Sequence, residues 1–556
     1  MRHAALCSAL LAGALALTPL HALAADLTPV PSANPKALGV VAPSVLSPEL
    51  AEIVRAQGAM KLENPAGIVT HYGYVSDRPN MMPPLGSNQE ATKTEPDKNT
   101  YLRLRGQHGA DPRYDYGTNF LFQGHENSAP AAAGGPKVGY ITRINLDADV
   151  AHRVTLMAAT DVSGAPLPVF DGSTWYPWAQ RLLFTFEAGN RGGVWQATLD
   201  VPSVVEDISG AFGRGGYEGI QADSEGNLWI VEDVGGPTGA VNRNARQPNS
   251  FIYRFVPKNV RDLRDGGRLQ VLAVQSLAHP GTIVFNNPIP DVDILSQDVL
   301  DLHTYGKALK TSWVTIHDTA TDGNAPFDAN ARAKGKGTPF KRPENGVFRP
   351  GTRFGEFYFT ETGDTNANTE AKLLVGNGSY GGFGGLFKLA QRHPSDDDGV
   401  LTLFFLGDLQ HTGFDNIQFW SKDTLVAVED RGDTLHTQGN ALDSGYMFDV
   451  RLDYGNPANP PLRFLAQGRD PSATIDSPLL GTPGFQNDGD NEITGFHVSD
   501  GDTSIGGILG AKNPRPFEDG WRVFYTGQHG DNVTHEIIPN PNTPRGEQGR
   551  DRDDDD

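Results

Sequence analysis

Leu228-Trp229-Ile230-Val231 runs directly into Glu232-Asp233-Val234-Gly235, an apolar stretch that ends in an acidic, glycine-containing turn. The same form recurs as Phe120-Leu121-Phe122 into Gly124-His125-Glu126-Asn127, as Leu182-Leu183-Phe184 into Glu187-Ala188-Gly189-Asn190, and as Phe357-Tyr358-Phe359 into Glu361-Thr362-Gly363-Asp364. Two further copies are Leu425-Val426-Ala427-Val428 into Glu429-Asp430-Arg431-Gly432 and Val523-Phe524-Tyr525 into Gly527-Gln528-His529-Gly530. Short aromatic and β-branched runs closed by turn residues read as strands.

Several copies lead into a second aromatic-rich strand, such as Phe251-Ile252-Tyr253-Arg254-Phe255, and then a third, such as Leu401-Thr402-Leu403-Phe404-Phe405. Three or four antiparallel strands per unit, repeated about six times, form the pattern of propeller blades. Sixty-five glycines and 40 prolines punctuate them, and sustained helical periodicity is scarce. The chain therefore reads as all-β, a β-propeller of about six blades over residues 108–545 with an N-terminal extension over 26–107. That extension is rich in Pro, Asn and Ser, contains one helical-looking stretch from Ser47 to Lys61, and is expected to pack against the main body. Residues 546–556 end in Asp553 to Asp556, a like-charge run expected to be a disordered acidic tail.

Met1-Arg2-His3, an apolar run from Ala4 to Leu17 and the small-residue pattern Ala22-Leu23-Ala24 read as a cleavable signal peptide over residues 1–25. The expected location is periplasmic or secreted. The one cysteine, Cys7, falls inside that segment, so the mature chain can offer neither disulfides nor thiolate ligands. No later stretch approaches the roughly 18 apolar residues of a membrane helix, and a soluble monomer with no membrane partner is expected. The 67 acidic against 46 basic residues, a formal charge of −21, exclude nucleic acid as a natural partner because a phosphate backbone demands a basic footprint.

In four units an acid also stands just before the first strand. These are Glu218 in Tyr217-Glu218-Gly219-Ile220, Glu344 in Arg342-Pro343-Glu344-Asn345-Gly346, Asp415 in Phe414-Asp415-Asn416-Ile417, and Glu492 in Asn491-Glu492-Ile493-Thr494. The innermost strand of each blade lines the central channel, so equivalent positions in successive blades converge on the axis. Carboxylates gathered there repel unless counter-charge is present. Oxygen donors without cysteine select a hard cation, above all calcium. Taken singly, each acid also fits a turn or cap.

Tyr217-Glu218-Gly219, Arg342-Pro343-Glu344, Glu492-Ile493-Thr494-Gly495 and Gly527-Gln528-His529-Gly530, in that order, resemble the PhoX-like family of secreted bacterial alkaline phosphatases, over about Asn119 to Asn532. The resemblance implies a propeller with a calcium-containing cluster that hydrolyses small-molecule phosphate esters. It also implies that Glu218, Glu344 and Glu492 are metal ligands and that Arg342 contacts the phosphate. Glu187 falls where the family has Thr-Cys-Glu-Glu, here Thr185-Phe186-Glu187-Ala188. The missing cysteine and second acid argue against an iron centre of the family's type.

Arg342 reads equally as a salt-bridge partner of a neighbouring acid. Arg431, at the end of its strand, is a second phosphate contact or a solvated turn. His125 and His529, at strand ends of the first and last blades, are proton donors or polar turn residues. A calcium-dependent lactonase is the rival enzymatic reading, because Glu218 to Trp229 resembles a blade of those enzymes too. A propeller that uses calcium only as a staple and binds a partner is the non-enzymatic one. Gly376 to Gly385 leads into a strand and lacks a suitably placed lysine, so it is not a nucleotide loop.

Overall fold

The structure is a computed structural model that describes residues 27–30, 44–67, 69–73, 94–126, 138–240, 245–364, 377–430, 442–467, 492–528 and 532–543. The expected signal peptide and acidic tail lie outside these residues. Among the described residues the sheets, apart from one two-stranded ribbon, resolve into six units, five of four strands and one of five, once the nine-stranded sheet is divided at Leu309–Asp318, the outer strand that joins its two halves. Their innermost strands are Thr100–Arg103, Ser173–Tyr176, Tyr217–Ala222, Gly346–Phe348, Phe414–Phe419 and Glu492–Ser499. Each touches the next in chain order, and Glu492–Ser499 touches Thr100–Arg103, so the ring closes and the expected propeller is borne out.

The second strand of each unit explains the uninterrupted apolar runs. Successive side chains of a strand point to opposite faces, and here both faces are covered by neighbouring units. Phe120 and Phe122 pack with Trp175 and Phe184 of the second unit, whereas Leu121 packs with Phe524 of the sixth. Trp229 and Val231 meet Phe348 and Phe357 of the fourth unit, while Leu228 and Ile230 meet Leu183 and Val194 of the second. The apolar core is thus a set of wedges between sheets, and removing one ring side chain costs about 3–5 kcal/mol.

Two expectations are corrected. Ser47 to Lys61 is not helical: Leu50–Ala56 is a strand that pairs antiparallel with Val533–Pro539 at the outer edge of the sixth unit. The open backbone groups of that edge outweigh the weak helical preference of Leu50-Ala51-Glu52. Nor does residue 107 divide the chain. Ser44–Leu46 pairs with Leu462–Gln467 of the fifth unit, and Thr100–Arg103 is the innermost strand of the first. Residues inside the expected extension therefore build the ring itself. Among the described residues no helix is long and apolar enough to cross a membrane.

Candidate metal centre

All six units carry an acid at the start of the innermost strand: Asp97, Asp171, Glu218, Glu344, Asp415 and Glu492. The small residue that follows several of them has a steric cause. A Cβ on Gly172 would lie 2.2 Å from the carbonyl oxygen of Glu218, and one on Gly219 would lie 2.9 Å from Cα of Asn345. The next inner strand approaches so closely that only glycine fits. In return, the amide of Gly219 donates to the carbonyl of Glu344 at 2.9 Å, and the Thr360 hydroxyl donates to the carbonyl of Asp415 at 2.9 Å. These bonds between units fix where each acid stands.

Three groups of carboxyls have ligand atoms within 4.8 Å of one another: Asp97 with Glu126 and Asp171; Asp171 with Glu187 and Glu218; Glu218 with Glu344 and Asp415. Asp171 and Glu218 each belong to two groups, so the three form one arc around the axis. Of the acids expected from sequence, Glu187, Glu218, Glu344 and Asp415 are brought into it. Glu492 stands beside Asp415 and hydrogen-bonds with it, outside the three groups. Asp97, Asp171 and Glu126 were missed. Asp171-Gly172-Ser173 shares the acid, small residue, strand form and was findable; Asp97 is followed by the bulky Lys98 and was not.

Burial is the largest influence on these groups and pushes the carboxyls of Asp97, Asp171, Glu187, Glu218, Glu344 and Glu492 well above the ordinary range. Neighbouring carboxylates add to it: Asp415 acts on Asp97, Asp171 on Glu218, and Asp233 on Glu344. Asp171 Oδ2, Glu218 Oε2 and Asp415 Oδ2 are buried without a hydrogen-bond partner. A buried, unsatisfied carboxylate oxygen costs at least 1–3 kcal/mol. Three of them on one arc suit a bound cation, and the all-oxygen donor set suits a hard one.

Two protein cations adjoin the arc. Arg342 sits in the left-handed region at φ 59°, a strained conformation for a residue with a side chain. Its Nη2 and Nε donate to Asp233 Oδ2 at 2.6 and 2.9 Å, and Nη2 is 3.6 Å from Glu344 Oε1. Burial opposes its charge, but Asp233 and Glu344 outweigh burial and hold its pKa well above the ordinary value. The salt-bridge reading of Arg342 is therefore realised, with its side chain still part-exposed. Lys98, unanticipated from sequence, donates from Nζ to Asn416 Oδ1 at 2.7 Å and Asn345 Oδ1 at 3.2 Å.

His125 is corrected. It is fully buried between Thr94 and Thr142, whose hydroxyls lie 2.9 Å from its two ring nitrogens, and burial lowers its pKa to about 3. It is a neutral packing residue against Tyr140, 4.2 Å between ring centroids, and not a proton donor. Arg431 and His529 lie outside the described residues. Phe186 packs edge-on to Trp195 with ring centroids 6.0 Å apart. Beside it a cavity of about 1010 Å³ reaches Glu126, Asp171 and Glu187.

A closed ring of sheets whose inner strands carry clustered carboxyls able to hold metal ions, beside a cavity that reaches them, defines a β-propeller with a candidate metal centre. Comparison with known families adds to this. The family model for alkaline phosphatase PhoX matches residues 236–503, a span that includes Arg342, Glu344, Asp415 and Glu492. The likeness read from the sequence holds over that span: residues 236–503 match the PhoX family model, which supports a phosphoric ester hydrolase.

Among solved structures the chain resembles PhoX of Pseudomonas fluorescens, there in complex with vanadate, described as a transition state analogue. The TM-score is 0.53 and the identity 11%, over 92% of this chain and 98% of that one. At 11% identity this likeness speaks to the fold. A putative hydrolase from Bacteroides ovatus, also 11% identical, overlaps 66% of this chain and 89% of its own with a TM-score of 0.30. The tricorn protease, 10% identical, overlaps 66% of this chain and 26% of its own with a TM-score of 0.21. No curated protein matches the chain.

Proposed function

We propose that this protein hydrolyses small-molecule phosphate esters outside the cytoplasm, at calcium ions held by the arc of axial carboxyls. The observation that carries the reading is the set of three adjoining groups, Asp97/Glu126/Asp171, Asp171/Glu187/Glu218 and Glu218/Glu344/Asp415, with buried oxygens left unsatisfied. These residues would hold the ions, with Glu492 completing the ring beside Asp415. When bound, calcium supplies positive charge to the phosphoryl oxygens and lowers the pKa of coordinated water. Arg342, anchored by Asp233 and part-exposed, orients the ester: its guanidinium keeps its proton and presents paired donors to phosphate.

The donor set is all oxygen and, by the resemblance read from the sequence, Phe186 falls where the family has its cysteine, which favours calcium without an iron centre. Arg431 and His529 remain proposals for a second phosphate contact and a proton donor. The leader over residues 1–25 would direct export, and a monomer accounts for the closed ring. A single-calcium lactonase has no use for three groups of carboxyls sharing members, which favours the phosphatase.

The test joins elemental analysis of the purified protein to an assay with phenyl phosphate, with and without chelator, on wild type and Glu218→Gln. Glu218 serves two of the three groups. Calcium in the wild type, activity abolished by chelator, and a loss of roughly 100-fold or more in the variant are expected. A wild type that hydrolyses a lactone and no phosphate ester would refute the reading. So would one that merely loses thermal stability on chelation and turns over neither.

A further inference from the structure

The cavity beside the carboxyl arc has two chemistries in its lining. Glu126, Asp171 and Glu187 belong to the metal-binding groups, while Phe186, Trp195 and Leu167 are apolar. Trp195 is held from several sides. Phe170 meets it edge-on at 5.8 Å, and the Arg214 guanidinium lies 5.5 Å from its ring, itself fixed by a 2.6 Å ion pair to Asp207. Phe186 follows on the neighbouring strand and is only part-buried. Trp195 is itself buried, so it backs the part-exposed ring of Phe186, and a part-exposed ring beside a polar centre is surface that a flat apolar group covers favourably.

The remaining charges say what kind of group enters. Asp207 is neutralised by Arg214, and Asp161 is turned into its own loop, accepting from the Ser163 amide at 2.8 Å and hydroxyl at 2.6 Å. Among the described lining residues Arg191 is the one cation, and it is exposed. With cations on Glu126, Asp171 and Glu187, the outer cavity keeps Glu95 and Asp161 against Arg191, a small acidic surplus with no basic patch, which disfavours an anionic leaving group.

We infer that Phe186 and Trp195 form the leaving-group subsite of this hydrolase, and that it selects phosphate monoesters whose alcohol carries a neutral aromatic ring. The inference rests on the phosphatase reading. Hydrolysis breaks the bond from phosphorus to the ester oxygen and forms one from a water oxygen to phosphorus. A proton from that water passes to the departing oxygen, releasing inorganic phosphate and the aromatic alcohol into the cavity. Phe186 acts through contact with the ring, not on the reacting atoms.

The experiment compares kcat/KM for phenyl phosphate and for glycerol 1-phosphate in calcium-loaded wild type, Phe186→Ala and Phe186→Trp. Comparing one ester across variants removes the difference in intrinsic reactivity between the two. Phe186→Ala is expected to lower the value for phenyl phosphate roughly tenfold, through KM, while glycerol 1-phosphate stays within about twofold. Phe186→Trp should restore the aromatic ester. Equal losses on both esters, or no change on either, would overturn the subsite while leaving the phosphatase reading intact. A wild type that hydrolyses neither ester overturns both.

Discussion

Lys98 Nζ, from the first unit, lies 2.7 Å from Asn416 Oδ1 of the fifth. With its second bond to Asn345 of the fourth unit, one ammonium of the first unit reaches both the fourth and the fifth. Burial lowers its pKa, against the pull of Asp415, Asp97, Glu218 and Asp171. Asn416 in turn donates from Nδ2 to Asp415 Oδ1 at 2.8 Å and to Thr494 Oγ1 at 2.9 Å. Lys98 therefore acts as a resident cation that holds several units in register.

Replacing Lys98 with Met keeps the length of the side chain and removes the charge. Breaking one side of a buried charge cluster costs about 3–5 kcal/mol, so Lys98→Met should unfold at lower denaturant than wild type. The deficit should be larger in chelator, where the carboxyls lose both sources of counter-charge. Denaturant titrations with calcium and with EDTA measure this; identical midpoints for variant and wild type in EDTA would contradict the role assigned to Lys98.

The response to pH should differ with and without metal. The carboxyls of Asp171 and Glu218 are raised in the folded protein from ordinary values of 3.8 and 4.5, chiefly by burial and then by neighbouring acids. With raised values, the metal-free folded state binds more protons than the unfolded chain. Its stability is greatest below the ordinary carboxyl values and is lost as pH rises through the folded ones. Metal binding requires ionised carboxylates, so calcium-dependent stabilisation grows in the same window. Melting temperature from pH 5 to pH 8 should fall in EDTA, and the gap between calcium and EDTA samples should widen; a constant gap would speak against these acids as ligands.

The strand Leu50–Ala56 covers the outer edge of the sixth unit, and its Glu52 accepts from the Tyr525 hydroxyl at 2.5 Å. Removing residues 1–57 exposes the full length of Val533–Pro539, a row of unpaired backbone groups that invites edge-to-edge association. The truncated protein is expected to elute as aggregate in size-exclusion chromatography, and a stable monomer with unchanged melting temperature would show that the strand is dispensable.

Much of this protein was legible from local pattern. Runs such as Phe120-Leu121-Phe122 announce strands wherever they are placed, because burial on both faces demands apolar residues at every position. The acids Glu218, Glu344, Asp415 and Glu492 stood out because each precedes such a strand. The N-terminal strand was not legible: Leu50–Ala56 owes its form to pairing with residues nearly 500 positions away, and its own sequence favours that form weakly.

The chain by itself determined that there are repeated strands, oxygen donors and no thiol beyond Cys7, since these are properties of residue type and spacing. Only the closed ring decided which charges meet. Asp97 and Lys98 face the fourth and fifth units across the axis, and Asp233 takes Arg342 from the neighbouring unit. Electrostatic partnership depends on distance through space, and curvature accumulated over six sheets sets that distance, which no short stretch of sequence records.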